Sequence, residues 1–215
     1  MRNPLIATAL AAGLFIGLAG AASAAEQTGP YVGLGVGPNF LNDASTTGPT
    51  GTKSAEFDTG IAGVATLGYK LDKNWRTEFE LGYRRNEVSS VSGGGGGDGD
   101  VHSESYMGNV LYDIDTGSKW TPYVGIGAGA VHYRPAGLQL TPTTTTNDGD
   151  TVFGYQGILG VAYDVTPRSQ FFLDYHYLRA NNPTVTDSSG GDYDTTYRSN
   201  TVLLGFRYTL NTGAM

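Results

Sequence analysis

Residues 75–85 read WRTEFELGYRR, and this stretch decides the fold class. A period of two places Trp75, Thr77, Phe79, Leu81 and Tyr83 on one face and Arg76, Glu78, Glu80, Gly82 and Arg84 on the other. The alternation predicts a β-strand with one apolar face and one charged face. Such a strand fits a soluble protein whose charges face water. It also fits a membrane barrel whose charges face the interior.

The first residues have the features of a secretory signal peptide. Arg2 provides a positive start, residues 5–20 form an apolar run, and Ala22-Ser23-Ala24 is a small-x-small cleavage site. The run is shorter than the roughly 20 apolar residues that a spanning helix needs. We therefore predict a cleaved signal peptide at 1–24 and a single β-barrel domain at 25–215.

Composition excludes several classes of function. The chain has 20 acidic and 13 basic residues, a formal net charge of −7, which argues against nucleic acid as a partner. Because it contains no cysteine, it cannot form disulfides, thiolate metal sites or cysteine nucleophiles. Its 33 glycines and 14 tyrosines do not favour helix and indicate β structure.

Seven further stretches alternate in the same way, near residues 31–40, 57–70, 105–114, 120–133, 153–164, 171–178 and 197–210. Long loops are predicted at 41–56, 86–101, 134–150 and 180–195, and short turns at 72–74, 115–119 and 166–169. Long and short connections alternate, so they are sorted to opposite ends of the strands. The sequence therefore predicts an all-β fold, an eight-stranded antiparallel up-and-down barrel.

The chemistry of the two faces distinguishes a soluble barrel from a transmembrane one. The less apolar face is largely glycine and alanine: Gly33, Gly35, Gly37, Gly60, Ala62, Gly125, Gly127, Gly129, Gly154 and Gly160. A solvent-exposed face built of glycine is not expected, because glycine weakens a strand and has no side chain to solvate. The same face fits the lumen of an eight-stranded barrel, which is only wide enough for side chains. The apolar face carries aromatic residues toward both strand ends, as two membrane interfaces would require. We therefore predict a transmembrane barrel with the apolar face toward lipid.

The predicted lumen contains nine charged side chains: Lys70, Arg76, Glu78, Glu80, Arg84, Asp113, Asp164, Asp174 and Arg207. Charges in a narrow interior must pair or be hydrated, because an unpaired buried ion costs several kcal/mol. One interpretation is an ion-pair network that plugs and rigidifies the barrel, which we favour. The other is a gated path for ions or small solutes.

Several stretches resemble a known family. They are PYVGLGVG at 30–37, TPYVGIGAGA at 121–130, the strand at 75–85, and TVLLGFRYTL at 201–210. These resemble the small outer-membrane β-barrels of Gram-negative bacteria, namely the outer-membrane protein A-like transmembrane domain and the opacity-type surface antigens. The resemblance implies a location in the outer membrane, short periplasmic turns, long extracellular loops, and a structural or surface-interaction role. It also implies membrane lipid, including lipopolysaccharide, as a partner, with periplasmic chaperones and the barrel-assembly machinery during biogenesis.

Two alternatives to the structural role are a narrow porin and a lipid-modifying enzyme. The imidazoles of the chain are His102, His132 and His176. His102 adjoins Ser103, but neighbours on a strand point to opposite faces, whereas His176 shares a face with Asp174, which could orient it as a base. No serine nucleophile can be assigned to that face, so we predict no catalytic residues. The run GGGGGDGDV at 93–101 nearly matches a calcium-binding nonapeptide, but it occurs once and lacks the large apolar residue. We therefore predict no metal and no cofactor, and the loops indicate no particular ligand.

Overall fold

The computed structural model describes residues 28–42, 44–48, 51–91, 100–136, 138–141, 144–146, 150–181, 184–186, 192–195 and 197–210. Eight long strands form the body: β1 (Gly29–Leu41), β2 (Gly60–Lys70), β3 (Trp75–Val91), β4 (Asp100–Asp113), β5 (Trp120–Ala136), β6 (Asp150–Thr166), β7 (Ser169–Ala180) and β8 (Tyr197–Thr209). The predicted signal peptide and the glycine run at 93–97 lie outside the described residues.

Each of the eight strands pairs antiparallel with its two neighbours in the chain, and β1 pairs with β8. The closing pair joins Tyr31 to Thr209 at one end and Leu41 to Ser199 at the other. The sheet is therefore a closed barrel without a free edge, and the predicted eight-stranded antiparallel barrel is confirmed. In the part of the chain that the structure describes, no helix is long and apolar enough to cross a membrane.

Three short connections, at 71–74, 114–119 and 167–168, lie at the same end of the barrel as the start of β1 and the end of β8. We call this the turn end and the opposite one the loop end. In the first turn, the side chain of Asp72 accepts hydrogen bonds from the backbone N–H groups of Asn74 and Trp75, both at 2.8 Å. Gly117 in the second turn has φ +64°, a conformation that favours glycine.

The outer wall is apolar, as the alternation predicts. Leu34 is 67% exposed and Ile126 is 73% exposed, which fits side chains that face lipid. At the turn end, aromatic rings of neighbouring strands contact each other across Trp75–Tyr112, Trp120–Tyr163 and Phe171–Phe206, with ring centroids 4.7 to 5.5 Å apart. This row of rings lies where the membrane interface of a spanning barrel is expected.

The small residues on the inner face leave space for inward rings. A Cβ atom at Gly160 would overlap the ring of Tyr123 and the carboxylate of Asp174. At Gly205 it would overlap the ring of Phe172. Glycine at these positions therefore allows a close approach between wall and lumen side chains rather than a special backbone conformation.

The predicted extent of the loops is wrong in several places. β3 continues to Val91, β4 begins at Asp100, and β5 continues to Ala136. Short strands also occur inside the other predicted loops, at Ala44–Gly48, Gly51–Phe57, Leu138–Thr141, Thr144–Thr146, Thr184–Thr186 and Asp192–Thr195. Glycine, proline and asparagine suggested irregular loops, but adjacent antiparallel strands continue to pair beyond the barrel wall, and threonine favours this pairing.

Candidate functional site

Polar and charged side chains fill much of the lumen and are almost completely buried. They are Asn39, Arg76, Glu78, Glu80, Arg84, Asn86, Ser103, Ser105, Asn109, Asp113, Gln156, Asp174, His176, Ser199, Thr201 and Arg207. Burying an ion is costly unless it is paired and hydrogen-bonded, so the partners of these groups determine what the lumen can do.

A chain of ion pairs lies near the turn end, and we call it the turn-end cluster: Lys70, Arg76, Glu78, Asp113 and Arg207. Arg76 is its centre, with Nε 2.9 Å from Asp113 Oδ1 and Nη1 bonded to Glu78 Oε1. Arg207 Nη2 approaches the same Glu78 oxygen at 3.8 Å. Lys70 Nζ, which is more exposed, lies 3.9 Å from Asp113. Each charge in this cluster therefore has an opposite charge within reach.

Aromatic rings surround the two guanidinium groups of the turn-end cluster. Tyr31 Oη donates to Glu78 at 2.7 Å and accepts from Arg76 Nη1 at 3.0 Å. The guanidinium carbon of Arg76 lies 4.4 Å from the ring centroid of Tyr123, and that of Arg207 lies 5.2 Å from the centroid of Phe172. Stacking on ring faces stabilises a desolvated arginine, since the ring quadrupole attracts the cation.

A second group, the middle cluster, consists of Glu80, Asn109, Gln156 and His176. Glu80 Oε2 accepts from Asn109 Nδ2 at 3.0 Å and from Gln156 Nε2 at 3.2 Å. His176 lies between two carboxylates, with Nδ1 3.8 Å from Glu80 and Nε2 3.4 Å from Asp174. The imidazole therefore connects the middle cluster to Tyr123, whose hydroxyl donates to Asp174 Oδ1.

Neutral groups dominate toward the loop end of the lumen. Arg84 Nη1 donates to Ser105 Oγ at 2.8 Å, and its Nε lies 3.4 Å from Thr201 Oγ1. Asn39 joins neighbouring walls, because it donates to Asn86 at 2.6 Å and accepts from Ser199 at 2.6 Å. Beyond them lies an apolar cap of Val101, Met107, Val131, Tyr133, Leu178, Ala180 and Tyr197.

The family model for the "Outer membrane protein beta-barrel domain" matches residues 7–211. The chain belongs to this family. An "Outer membrane protein" of Gluconacetobacter diazotrophicus is 31% identical over an alignment that covers 99% of this chain and 64% of that relative. The "Outer membrane protein PagN" of Salmonella typhimurium is 26% identical over 50% of each chain. The chain thus spans between half and two thirds of the length of these two relatives.

Solved structures of outer-membrane proteins share the fold. OprG from Pseudomonas aeruginosa has a TM-score of 0.61 at 17% identity, with 86% of this chain and 98% of that chain covered. Neisserial surface protein A has a TM-score of 0.56 at 19% identity, with 84% and 97% covered. These likenesses confirm the predicted fold. The family and the relatives named outer membrane proteins confirm the predicted resemblance and the predicted location in the outer membrane.

The nine charges predicted for the lumen all lie on its inner side, but direct ion pairs do not join all of them. Five belong to the turn-end cluster, whereas Glu80 and Asp174 meet at His176. The other two have neutral partners: Arg84 binds hydroxyl groups, and Asp164, which is only partly buried, accepts from Gln170 at 2.6 Å. Gln170 in turn accepts from Arg207 at 3.1 Å, so Asp164 reaches the cluster indirectly.

Neutral residues that the predicted charge set omits are central to the lumen, notably Tyr31, Asn39, Asn109 and Gln156. Tyr31 has the same parity as the inward glycines of β1, so the alternation contained the signal that it points inward. The partners of these residues come from other strands, and alternation within one strand carries no information about them.

The three histidines lie in different surroundings. His102 and His132 face outward, where their Nδ1 atoms bond Tyr83 Oη at 2.8 Å and Thr151 Oγ1 at 2.7 Å. Ser103 faces inward and bonds Tyr197 Oη at 2.7 Å, so His102 and Ser103 lie on opposite sides of the wall. Among the described residues, no group of three or more histidine, aspartate or glutamate side chains is arranged to hold a metal ion.

Proposed function

We propose that this protein is a structural outer-membrane barrel that supports its loops at the cell surface and has a lumen closed to ions and small solutes. One observation carries the proposal: buried ion pairs and hydrogen bonds link strands on opposite walls of the lumen. The family and the location in the outer membrane are established above. The closed lumen and the structural role are the proposal.

Contacts between opposite walls support the proposal at three levels. Strands that are three or four positions apart in an eight-stranded barrel face each other across the lumen. Glu78 on β3 approaches Arg207 on β8 near the turn end, and Glu80 on β3 approaches His176 on β7 in the middle. Near the loop end, Ser103 on β4 bonds Tyr197 on β8. A solute would have to separate all three pairs of residues in turn.

The energetics of the turn-end cluster also favour closure. Arg76 is 1% exposed and Glu78 is 8% exposed, so both charges depend on protein partners. Separating a buried ion pair without replacing its partners costs about 3–5 kcal/mol. A path that opens by moving Arg76 would therefore be populated in a small fraction of molecules.

Conductance in planar lipid bilayers tests the proposal. We expect the purified wild-type barrel to produce no sustained single-channel steps. The double variant Arg76→Ser/Arg207→Ser removes both guanidinium groups, so we expect it to increase ionic leak. Lys73→Ser, in an exposed turn, removes a charge outside the lumen and should leave the membrane sealed. Sustained steps from the wild-type protein would refute the closed lumen and favour the narrow porin.

The geometry around His176 supports a role without catalysis. His176 is 2% exposed, and its two carboxylate neighbours lie on the inner face of the wall. A lipid substrate occupies the outer face, on the other side of the barrel wall. We therefore expect His176→Gln to leave the lipid composition of the outer membrane unchanged. A loss of a lipid modification in cells that carry this variant, with barrel levels unchanged, would instead favour the enzyme.

A further inference from the structure

Two arginines face each other on the outer wall near the loop end. Arg179 on β7 is directly opposite Arg198 on β8, and both alternate with buried neighbours, so they point outward. Like charges in directly opposed positions of a sheet destabilise it. In a chain with a net charge of −7, an outward pair of cations is not explained by a general excess of positive charge.

Polar donors and aromatic rings surround this pair, and we call the whole set the arginine patch: Arg179, Arg198, Asn42, Asn200, Tyr175 and Tyr177. Asn200 is opposite Tyr177, and its Nδ2 donates to Asn42 Oδ1 at 2.8 Å. Tyr175 Oη donates to Asn200 Oδ1 at 2.5 Å. These two bonds connect the phenol of Tyr175 and the amides of Asn200 and Asn42 on the outward face that the two arginines share.

Other outward arginines at the loop end have partners. Arg85 Nη2 lies 2.7 Å from Asp100 Oδ2, and Arg134 Nε donates to His132 Nε2 at 2.9 Å. Among the side chains that the structure describes, no carboxylate lies within ion-pair distance of Arg179 or Arg198. The arginine patch therefore differs from Arg85 on β3, across the barrel from β7, whose charge is paired with a carboxylate.

We propose that the arginine patch binds the phosphate group of a phosphorylated lipid in the outer leaflet of the outer membrane. Guanidinium groups bind phosphate through paired, charge-assisted hydrogen bonds. The negative charge of a phosphate bound between Arg179 and Arg198 offsets the repulsion between them. The amide and phenol groups of the patch suit the sugar hydroxyls of a glycolipid headgroup.

The position of the patch selects a lipid rather than a free phosphate ion. Tyr155 is directly opposite Arg179 on the other side of β7, and Phe153 follows on the same outward face. Both rings are more than 40% exposed, as expected for side chains at the boundary between acyl chains and headgroups. A lipid can place its headgroup phosphate at this boundary while its acyl chains contact the apolar wall. A free phosphate ion would interact with the exposed arginines alone.

The test measures lipid binding by the full chain, folded in dodecyl maltoside micelles, with native mass spectrometry. The probes are lipid A with two phosphates, the same lipid after enzymatic removal of its phosphates, and inorganic phosphate as a competitor. We expect Arg179→Gln and Arg198→Gln each to weaken binding of the phosphorylated lipid by about tenfold, because each removes a charge-assisted contact. Arg168→Gln removes the same charge in a turn at the opposite end and should leave binding unchanged.

Each remaining outcome overturns the proposal. Equal binding of both lipids would mean that phosphate is not recognised. A loss of binding in Arg168→Gln equal to that in Arg179→Gln would indicate unspecific charge attraction. Displacement of the lipid by millimolar inorganic phosphate would identify a solute site instead. The gel mobility of unboiled samples shows whether each variant is folded. Lipid binding on the outer wall is measured independently of whether the lumen is closed.

Discussion

Replacing Arg76 with methionine tests the central interaction of the lumen. The substitution keeps much of the aliphatic stem but removes the guanidinium group, which contacts Glu78, Asp113 and the Tyr31 hydroxyl. Glu78 then retains Arg207 at 3.8 Å and Tyr31 at 2.7 Å. Among the described residues, the cation that remains near Asp113 is Lys70, at 3.9 Å.

The expected loss of stability follows from these remaining partners. Removing one member of a buried ion pair costs about 3–5 kcal/mol, since the other charge stays buried. Because Arg207 still compensates Glu78 in part, we expect Arg76→Met to lower the free energy of unfolding by about 3 kcal/mol, the lower end of that range. In the double variant Arg76→Met/Glu78→Gln one unpaired charge is removed, so the two effects should be less than additive by about 1–3 kcal/mol.

Urea unfolding in lipid vesicles measures both quantities. The fraction of folded barrel is read from the mobility of unboiled samples on gels, and the fluorescence of Trp75 and Trp120 provides a second probe. Lys73→Met, which removes a cation from an exposed turn, is the control and should change stability by less than about 0.5 kcal/mol. A stability of Arg76→Met equal to that of this control, or full additivity in the double variant, would show that the Arg76 ion pairs do not stabilise the barrel.

Three further substitutions have directions that follow from the structure. Gly160→Ala should lower the free energy of unfolding by about 1–3 kcal/mol, because its Cβ would overlap Tyr123. Gly157→Ala on the same strand faces open space and should be neutral. Equal urea midpoints for the two variants would contradict this expectation. Phe79→Lys puts a charge on the lipid face and should cost about 2–4 kcal/mol, seen as less folded barrel after insertion into vesicles; insertion equal to wild type would place this side chain away from lipid. The pKa of Asp72 lies below its ordinary value because its carboxylate accepts hydrogen bonds from the backbone N–H groups of Trp75 and Asn74. The stabilisation that Asp72 gives the turn is therefore present above the pKa of the unfolded state. It is lost as the pH falls through the pKa of the folded state. A carbon-13 titration of this carboxyl at an ordinary pKa would contradict that reading.

Alternation along single strands was sufficient to predict much of this fold. Each of the eight barrel strands has a period of two, and the parity of Arg76, Glu78 and Asp174 gives the face on which each one lies. The extent of the strands beyond the barrel wall was not predictable in this way. Pairing with an adjacent hairpin extends strands such as β3, which continues to Val91. This extension could not be predicted, because the sequence of one strand does not show which strand will pair with it.

The sequence by itself determined the class of the protein, because face chemistry, strand number and the order of long and short connections are local or periodic properties. Tertiary structure alone decided which lumen charges meet. Arg76 and Glu80 are on one face of one strand, yet Arg76 pairs with carboxylates and Glu80 with amides and His176. The register and tilt of closed strands set these partners, since closure brings residues that are far apart in the chain to the same level of a narrow lumen.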